Sequence, residues 1–249
     1  MDKPERPKLK RLAGGRALPE QAVDIPSAPC FVARAATQSR AGDRRQSKIG
    51  GLPYFPDGEA WPACKGCGAP LTFLAQFKSA DAPGMIAAPA RMLVMFYCFA
   101  CAPFWDVEGR GFWAMLTPFE PFAPLLPEKK MPIDPHTPPE LALRFAKTKD
   151  HPAPTEWPAS GGLSDWERNE LAARRPNVAK TKLGGFPSWC QSPDAPRCRE
   201  CGQAMRFIGQ LVSDIGLGLH FPDGGRLYLF ECLAPHDGEV PLSIVMQTE

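Results

Sequence analysis

Cysteines in pairs carry the chemistry available to this sequence. Cys64-x-x-Cys67-Gly68 is a knuckle: two thiolates two residues apart can grip one ion, and the glycine lets backbone N–H groups turn toward sulfur. Cys98-x-x-Cys101 supplies a second pair, and four thiolates make a tetrahedral set that suits Zn²⁺. An iron–sulfur cluster is chemically allowed at this set as well. Thirty residues separate Cys67 from Cys98, a wide gap that requires at least a hairpin between the pairs. Later in the chain come Cys198-x-x-Cys201-Gly202 and Cys232. The position that would match Cys101 is Pro235, but the next residue is His236, which completes a Cys3His set. Both sets have four ligands, so two structural zinc ions are expected, with no coordination position left for a catalytic water. Cys30 and Cys190 remain, and they read as small buried hydrophobes.

The two sets belong to an internal repeat. Ser47–Phe77 aligns with Thr181–Leu211 without a gap at an offset of 134 residues. Lys48, Gly50, Gly51, Cys64, Cys67 and Gln76 meet Lys182, Gly184, Gly185, Cys198, Cys201 and Gln210, and Cys98 meets Cys232 at the same offset. Self-similarity at a fixed period means one structural unit used twice. The fold class expected is therefore α+β, mainly β: two pseudo-equivalent sheet units from a duplication, each with a zinc-ribbon-like site.

These ligands need strands to hold them. Alternation and β-branched or aromatic content predict strands at 30–33, 71–77, 92–99, 112–117, 205–212, 226–232 and 242–247. Thirty prolines and 22 glycines argue for many turns and few long helices. Leu163–Arg175 is one helix, with Ser164 and Glu167 as a capping box and Pro176 as its stop. Pro139–Lys149 reads as another, with prolines at its start. The organisation that follows is a mobile arm over 1–25, a first unit over 26–117, a proline-rich connector over 118–162 and a second unit over 163–249. The N-terminus lacks the apolar core of a signal peptide, and no run reaches the roughly 18 apolar residues of a spanning helix. A cytoplasmic protein with reduced thiols is expected.

Hydrophobic residues make up 44% of the chain, enough for a core, while a net charge of +2 is too weak to argue for nucleic acid. There is no GxSxG, HExxH, GxxxxGK[ST] or GxGxxG. His136 and His151 in the connector read as solvated, and a turn pairing of His220 with Asp223 reads as a local hydrogen bond. A non-enzymatic module that binds a protein or peptide partner is expected. Arg44, Arg45, Gly50 and Gly51 in one copy, with Arg174, Arg175, Gly184 and Gly185 in the other, would form its rim. The alternatives are a nucleic-acid-binding zinc ribbon and an uncharacterised hydrolase using His220.

The string S-K-I-G-G-L-P, Trp61-Pro62 before the knuckle and Phe73-Leu-Ala-Gln76 resemble the bacterial YwqG-like family of unknown function. The second copy, with L-G-G-F-P-S-W, its CxxCG and F-I-G-Q-L, is also similar to the N-terminal region of the programmed cell death protein 2 family. The resemblance covers roughly residues 45–117 and 180–247. It implies a duplicated β-rich fold and protein binding of a chaperone-like kind.

Overall fold

A computed structural model describes residues 24–37, 42–87, 90–101, 111–132, 134–157, 163–236 and 240–249. Ten strands form one antiparallel sheet: β1 (Ala28–Ala35), β2 (Lys48–Ile49), β3 (Thr72–Lys78), β4 (Arg91–Tyr97), β5 (Phe112–Pro118), β6 (Leu141–Asp150), β7 (Lys182–Gly184), β8 (Arg206–Val212), β9 (Arg226–Glu231) and β10 (Leu242–Gln247). Their order is β10-β9-β8-β7-β1-β6-β2-β3-β4-β5. The two outermost strands, β5 and β10, lie against each other, so the sheet curls nearly closed. Among the described residues there is one α-helix, α1 (Asp165–Arg174). Ser164 and Glu167 cap it reciprocally, as their spacing predicts. The architecture is mainly β and duplicated, in agreement with the sequence.

Period-two patterning sorts the side chains onto two faces. Leu93, Met95 and Tyr97 of β4, with Leu227 and Leu229 of β9, point into the enclosed core. Met92, Val94 and Phe96 point outward to a second cluster with Phe55 and Phe73, and Tyr228 and Phe230 do the same in the second half. Each half repeats one irregularity. The β3–β4 register slips between Phe73 and Ala75, and the β8–β9 register slips between Phe207 and Gly209.

The central pair departs from the sequence reading. Pro139–Lys149 is not a helix, because its residues make β6, which pairs with β1 on one side and β2 on the other. Leu141, Leu143 and Phe145 alternate into the core while Arg144 is exposed, so two sheet partners decide between helix and strand for a stretch rich in helix formers. The first strands are also exchanged. β1 precedes the first copy but pairs with β7 of the second, and β6 precedes the second copy but pairs with β2 of the first. Val32 faces Lys182 and Ala142 faces Lys48, so the two first strands are equivalent at an offset of 110, not 134. The pseudo-twofold axis then falls where Arg34 pairs with Arg144.

Two buried lysines fix this exchange. Lys182 donates to Asp150 Oδ2 at 2.6 Å, and both side chains are fully buried. The same carboxylate accepts the N–H groups of Val178 at 2.7 Å, Phe186 at 2.9 Å and His151 at 3.0 Å. Lys48 reaches Glu140 at 3.3 Å on the other side of β6. Burial pushes both lysines below their ordinary range despite these carboxylates.

Removing Asp150 leaves Lys182 buried and uncompensated. Asp150→Ala should cost about 3–5 kcal/mol in chemical denaturation. Adding Lys182→Met to it should recover much of that loss. An Asp150→Ala variant of wild-type stability would show that the pair does not hold the halves together. A second expectation concerns the double-glycine turns. A Cβ on Gly50 would lie 1.9 Å from the Pro138 carbonyl oxygen, whereas one on Gly58 would meet nothing within 4 Å, and both glycines have positive φ. Gly58→Ala should therefore cost only the left-handed penalty of about 1–2 kcal/mol, and Gly50→Ala clearly more, measured by urea unfolding.

Candidate metal centres

Each knuckle is closed by its own backbone. Cys64 N–H donates to the Ala69 carbonyl and Gly68 N–H to the Cys64 carbonyl, both at 2.8 Å. Cys198 to Gln203 and Gly202 to Cys198 repeat these bonds at the same lengths. The tight turn requires a left-handed residue, which Gly68 (φ 75°) and Gly202 (φ 72°) supply. The other ligands come from strand phase. Cys98 continues the outward series of Met92, Val94 and Phe96, and Cys232 continues Tyr228 and Phe230. A slip of one residue in β4 or β9 would turn these thiols away from the knuckles.

The eight residues singled out by sequence gather into two groups, Cys64, Cys67, Cys98 and Cys101, and Cys198, Cys201, Cys232 and His236. In each group the donor atoms lie within 4.8 Å of one another. In the first, Sγ–Sγ distances are 3.5 Å for Cys64–Cys101, 3.6 Å for Cys67–Cys98 and 3.4 Å for Cys98–Cys101. A tetrahedral ion with metal–sulfur bonds of about 2.3 Å separates its sulfurs by about 3.8 Å, so the donors need to move little to hold one. In the second group, Cys201 and Cys232 are 3.6 Å apart and His236 Nε2 is 3.1 Å from Cys232 Sγ. Each group can hold a metal ion.

The electrostatics fit that role. Burial works to raise the Cys64 thiol, but the N–H groups of Cys67 and Gly66 and the neighbouring thiols bring it down to about 7. The N–H of Cys201 leads the lowering of Cys198, also to about 7. Burial pushes Cys98 upward, and Cys232 to about 11. A cation between them would hold all of these thiols as thiolates.

One residue of the second centre was not legible in the sequence. His236 Nδ1 lies 2.8 Å from Glu200 Oε2, which aims Nε2 at the sulfurs and fixes the tautomer. Glu200 sits inside the knuckle, where Gly66 stands in the first copy. The one local hint was a carboxylate lying between paired cysteines. Only the fold shows that it turns toward His236.

The proposed rim residues are distributed differently. Arg44 donates to the carbonyls of Pro53 at 2.8 Å and Leu126 at 2.9 Å, and Arg45 to that of Ala123 at 2.7 Å. Both guanidiniums are half-buried staples for the chain's own loops. The approach to the glycines is filled from within: Pro138 lies against Gly50, Glu140 against Gly51, Met85 against Gly184 and Asp150 against Gly185. Arg174 ends α1 exposed, and Arg175 caps it through its N–H to Leu171 O. Gln76 and Gln210 are buried clamps: Gln76 accepts Tyr54 N–H at 2.6 Å and Gln210 accepts Ser188 N–H at 2.9 Å, fastening the double-glycine turns. His151 is buried rather than solvated, with Nδ1 3.0 Å from Pro26 O. His136 and His220 are exposed. Cys30 is fully buried, and burial raises its thiol to about 11. Phe55 is core, while Trp61 and Trp189 are half-buried against Phe96 and Tyr228.

A family model described as a domain of unknown function, DUF1963, matches residues 47–231. It spans both knuckles and strands β2 to β9. No curated protein matches the chain. No described helix is long and apolar enough to cross a membrane.

If Glu200 aims His236, Glu200→Ala should lower metal affinity at the second centre about 10–100-fold and leave the first unchanged. Competition against a chromophoric chelator, run in a Cys64→Ser background to isolate the second centre, measures it. Equal affinities would reduce the contact to a surface ion pair.

Proposed function

The chain belongs to this DUF1963 family, and we propose that it is a non-enzymatic zinc-binding module that holds an extended segment of a partner protein in a chaperone-like manner. The observation that carries this reading is the composition of the two metal groups. Each gathers four protein ligands, which fills a tetrahedral shell and suits a staple rather than a reaction centre. Soft thiolates with one imidazole favour zinc among the common ions, and a reducing cytoplasm would keep them available. Cys64 and Cys98 belong to the same apolar cluster as Phe73 and Phe96, so an ion there would stiffen the outer face of the sheet directly.

A rigid, doubled sheet is a suitable platform for an extended guest. The outermost strands β5 and β10 lie against each other, which favours a guest on the sheet face over one added at an edge. The likeness of the sequence to the YwqG-like family and to the programmed cell death protein 2 region accords with a protein client.

Plasma emission on protein purified without chelator should find two zinc ions per chain. Their removal should lower the thermal midpoint, because closed sites add binding free energy to folding. A well-folded preparation with no metal would overturn the structural role. For binding, a nuclease-treated affinity capture should yield a protein that binds again in purified form, with affinity only modestly sensitive to salt. Recovery of nucleic acid alone, with affinity falling steeply as salt rises, would replace this reading by the nucleic-acid one.

A further inference from the structure

A groove of 640 Å³ crosses the central strand pair beside the pseudo-twofold axis. This size is in the range of pockets that take ligands of several functional groups. Val32 and Arg34 of β1, with Ala146 and Thr148 of β6, line it from the strands, where Val32 pairs with Ala146. Val178, Lys180 and the turn 214–217 complete the walls.

The charge here is unbalanced. Arg34 pairs directly with Arg144 across the two strands, and like charges in that position destabilise a sheet. Lys147 and Lys180 line the groove with Arg34, Arg144 stands just outside it, and all four cations are exposed. None of the four makes a salt bridge among the described residues. Arg144 gives only a 3.3 Å hydrogen bond to the Ala35 carbonyl, and Lys147 stands 5.9 Å over the Phe31 ring. The acid in the wall, Asp214, is engaged by the N–H of Gly216 at 2.8 Å. Next to it Ile215 is 87% exposed. Unpaired cations, Val32 and Val178 in the lining and an exposed aliphatic at the wall together describe a complementary guest: carboxylates alternating with aliphatic side chains.

We propose that this groove is the binding site for an acidic, aliphatic segment of the partner protein, with a carboxylate received at Arg34, at the end of the groove where its strand neighbour Arg144 stands. The proposal rests on the protein-binding reading above and names its site. Arginine forks suit carboxylates because they can donate two parallel N–H bonds. The aliphatic groups in the lining, Val32, Val178 and Leu217, favour a peptide over a phosphate backbone, which would leave them unburied. The repulsion between Arg34 and Arg144 is relieved when the guest arrives, so binding energy and sheet stability oppose each other in the free chain.

Fluorescence anisotropy with the full chain in its metal-loaded form tests this. The probe is a short fluorescein-labelled peptide alternating Glu and Leu, with a Lys/Leu peptide and oligothymidylate as comparators. The Glu/Leu peptide should bind, and Arg34→Gln with Arg144→Gln should weaken it roughly tenfold or more. That double variant should keep its metal and unfold at the same or a higher temperature, since it removes the like-charge pair. Ile215→Asp should weaken binding several-fold. Unchanged affinity in the double variant, failure of the Glu/Leu peptide to bind, or oligothymidylate binding in its place would each overturn the proposal. If the double variant still binds a verified partner protein at full strength, the groove is wrong while the protein-binding reading stands. If the wild type binds no protein at all, that reading is what has failed.

Discussion

Asp150 and Lys182 form the contact on which the two halves depend. Taking an ammonium and a carboxylate out of water costs several kcal/mol per ion, and good geometry with extra hydrogen bonds offsets the cost. Asp150 supplies that geometry with three backbone N–H groups besides the lysine. Lys48 and Glu140 form the corresponding contact at the other end of β6. Strand β6 is thus bracketed by two carboxylates, and each receives the lysine that opens one copy of the repeat. The double glycines follow from this arrangement. A side chain at Gly51 or Gly185 would occupy the space of Glu140 or Asp150, so the lysine and its glycines form one unit with the carboxylate.

The candidate metal groups and the sheet packing are coupled through strand phase. The alternation that sends Leu93, Met95 and Tyr97 inward sends Phe96 and Cys98 outward. The outward residues meet the knuckle, and the same geometry recurs with Phe230 and Cys232. An apolar cluster and a ligand set therefore form together or not at all. The repeated bulge in β3 and β8 belongs to this design, since it adjusts the twist where each strand leaves its knuckle.

The exchange of first strands gives the molecule a region that belongs to neither half alone. Around the pseudo-twofold axis the outer face carries no knuckle, and strands from both copies lie side by side. Symmetry brings Arg34 against Arg144 there, a contact that folding gains nothing from. Basic residues that sequence reading placed at the rim, Arg44 and Arg45, instead spend their charge on carbonyls of the chain's own loops. Among the cations left exposed are those of the central strands and Lys180.

By itself the sequence determined the local features: the two four-residue groups that could hold a metal, the knuckle turns, the capped helix, most strands and the duplication at an offset of 134. Each is legible because its cause lies within a few residues, in ligand spacing, side-chain alternation or capping chemistry. The identity of β6 was not legible, since Leu, Ala, Arg and Lys in that stretch suit a helix locally and only β1 and β2 make it a strand. The offset of 110 was hidden for the same reason: β1 and β6 share position in the sheet and almost no sequence. The roles of Glu200, Gln76, Gln210 and the buried His151 also depended on neighbours brought from elsewhere in the chain. Tertiary structure alone decided these, because a long-range pairing sets which groups lose water and which partners replace it, and no local pattern encodes that exchange.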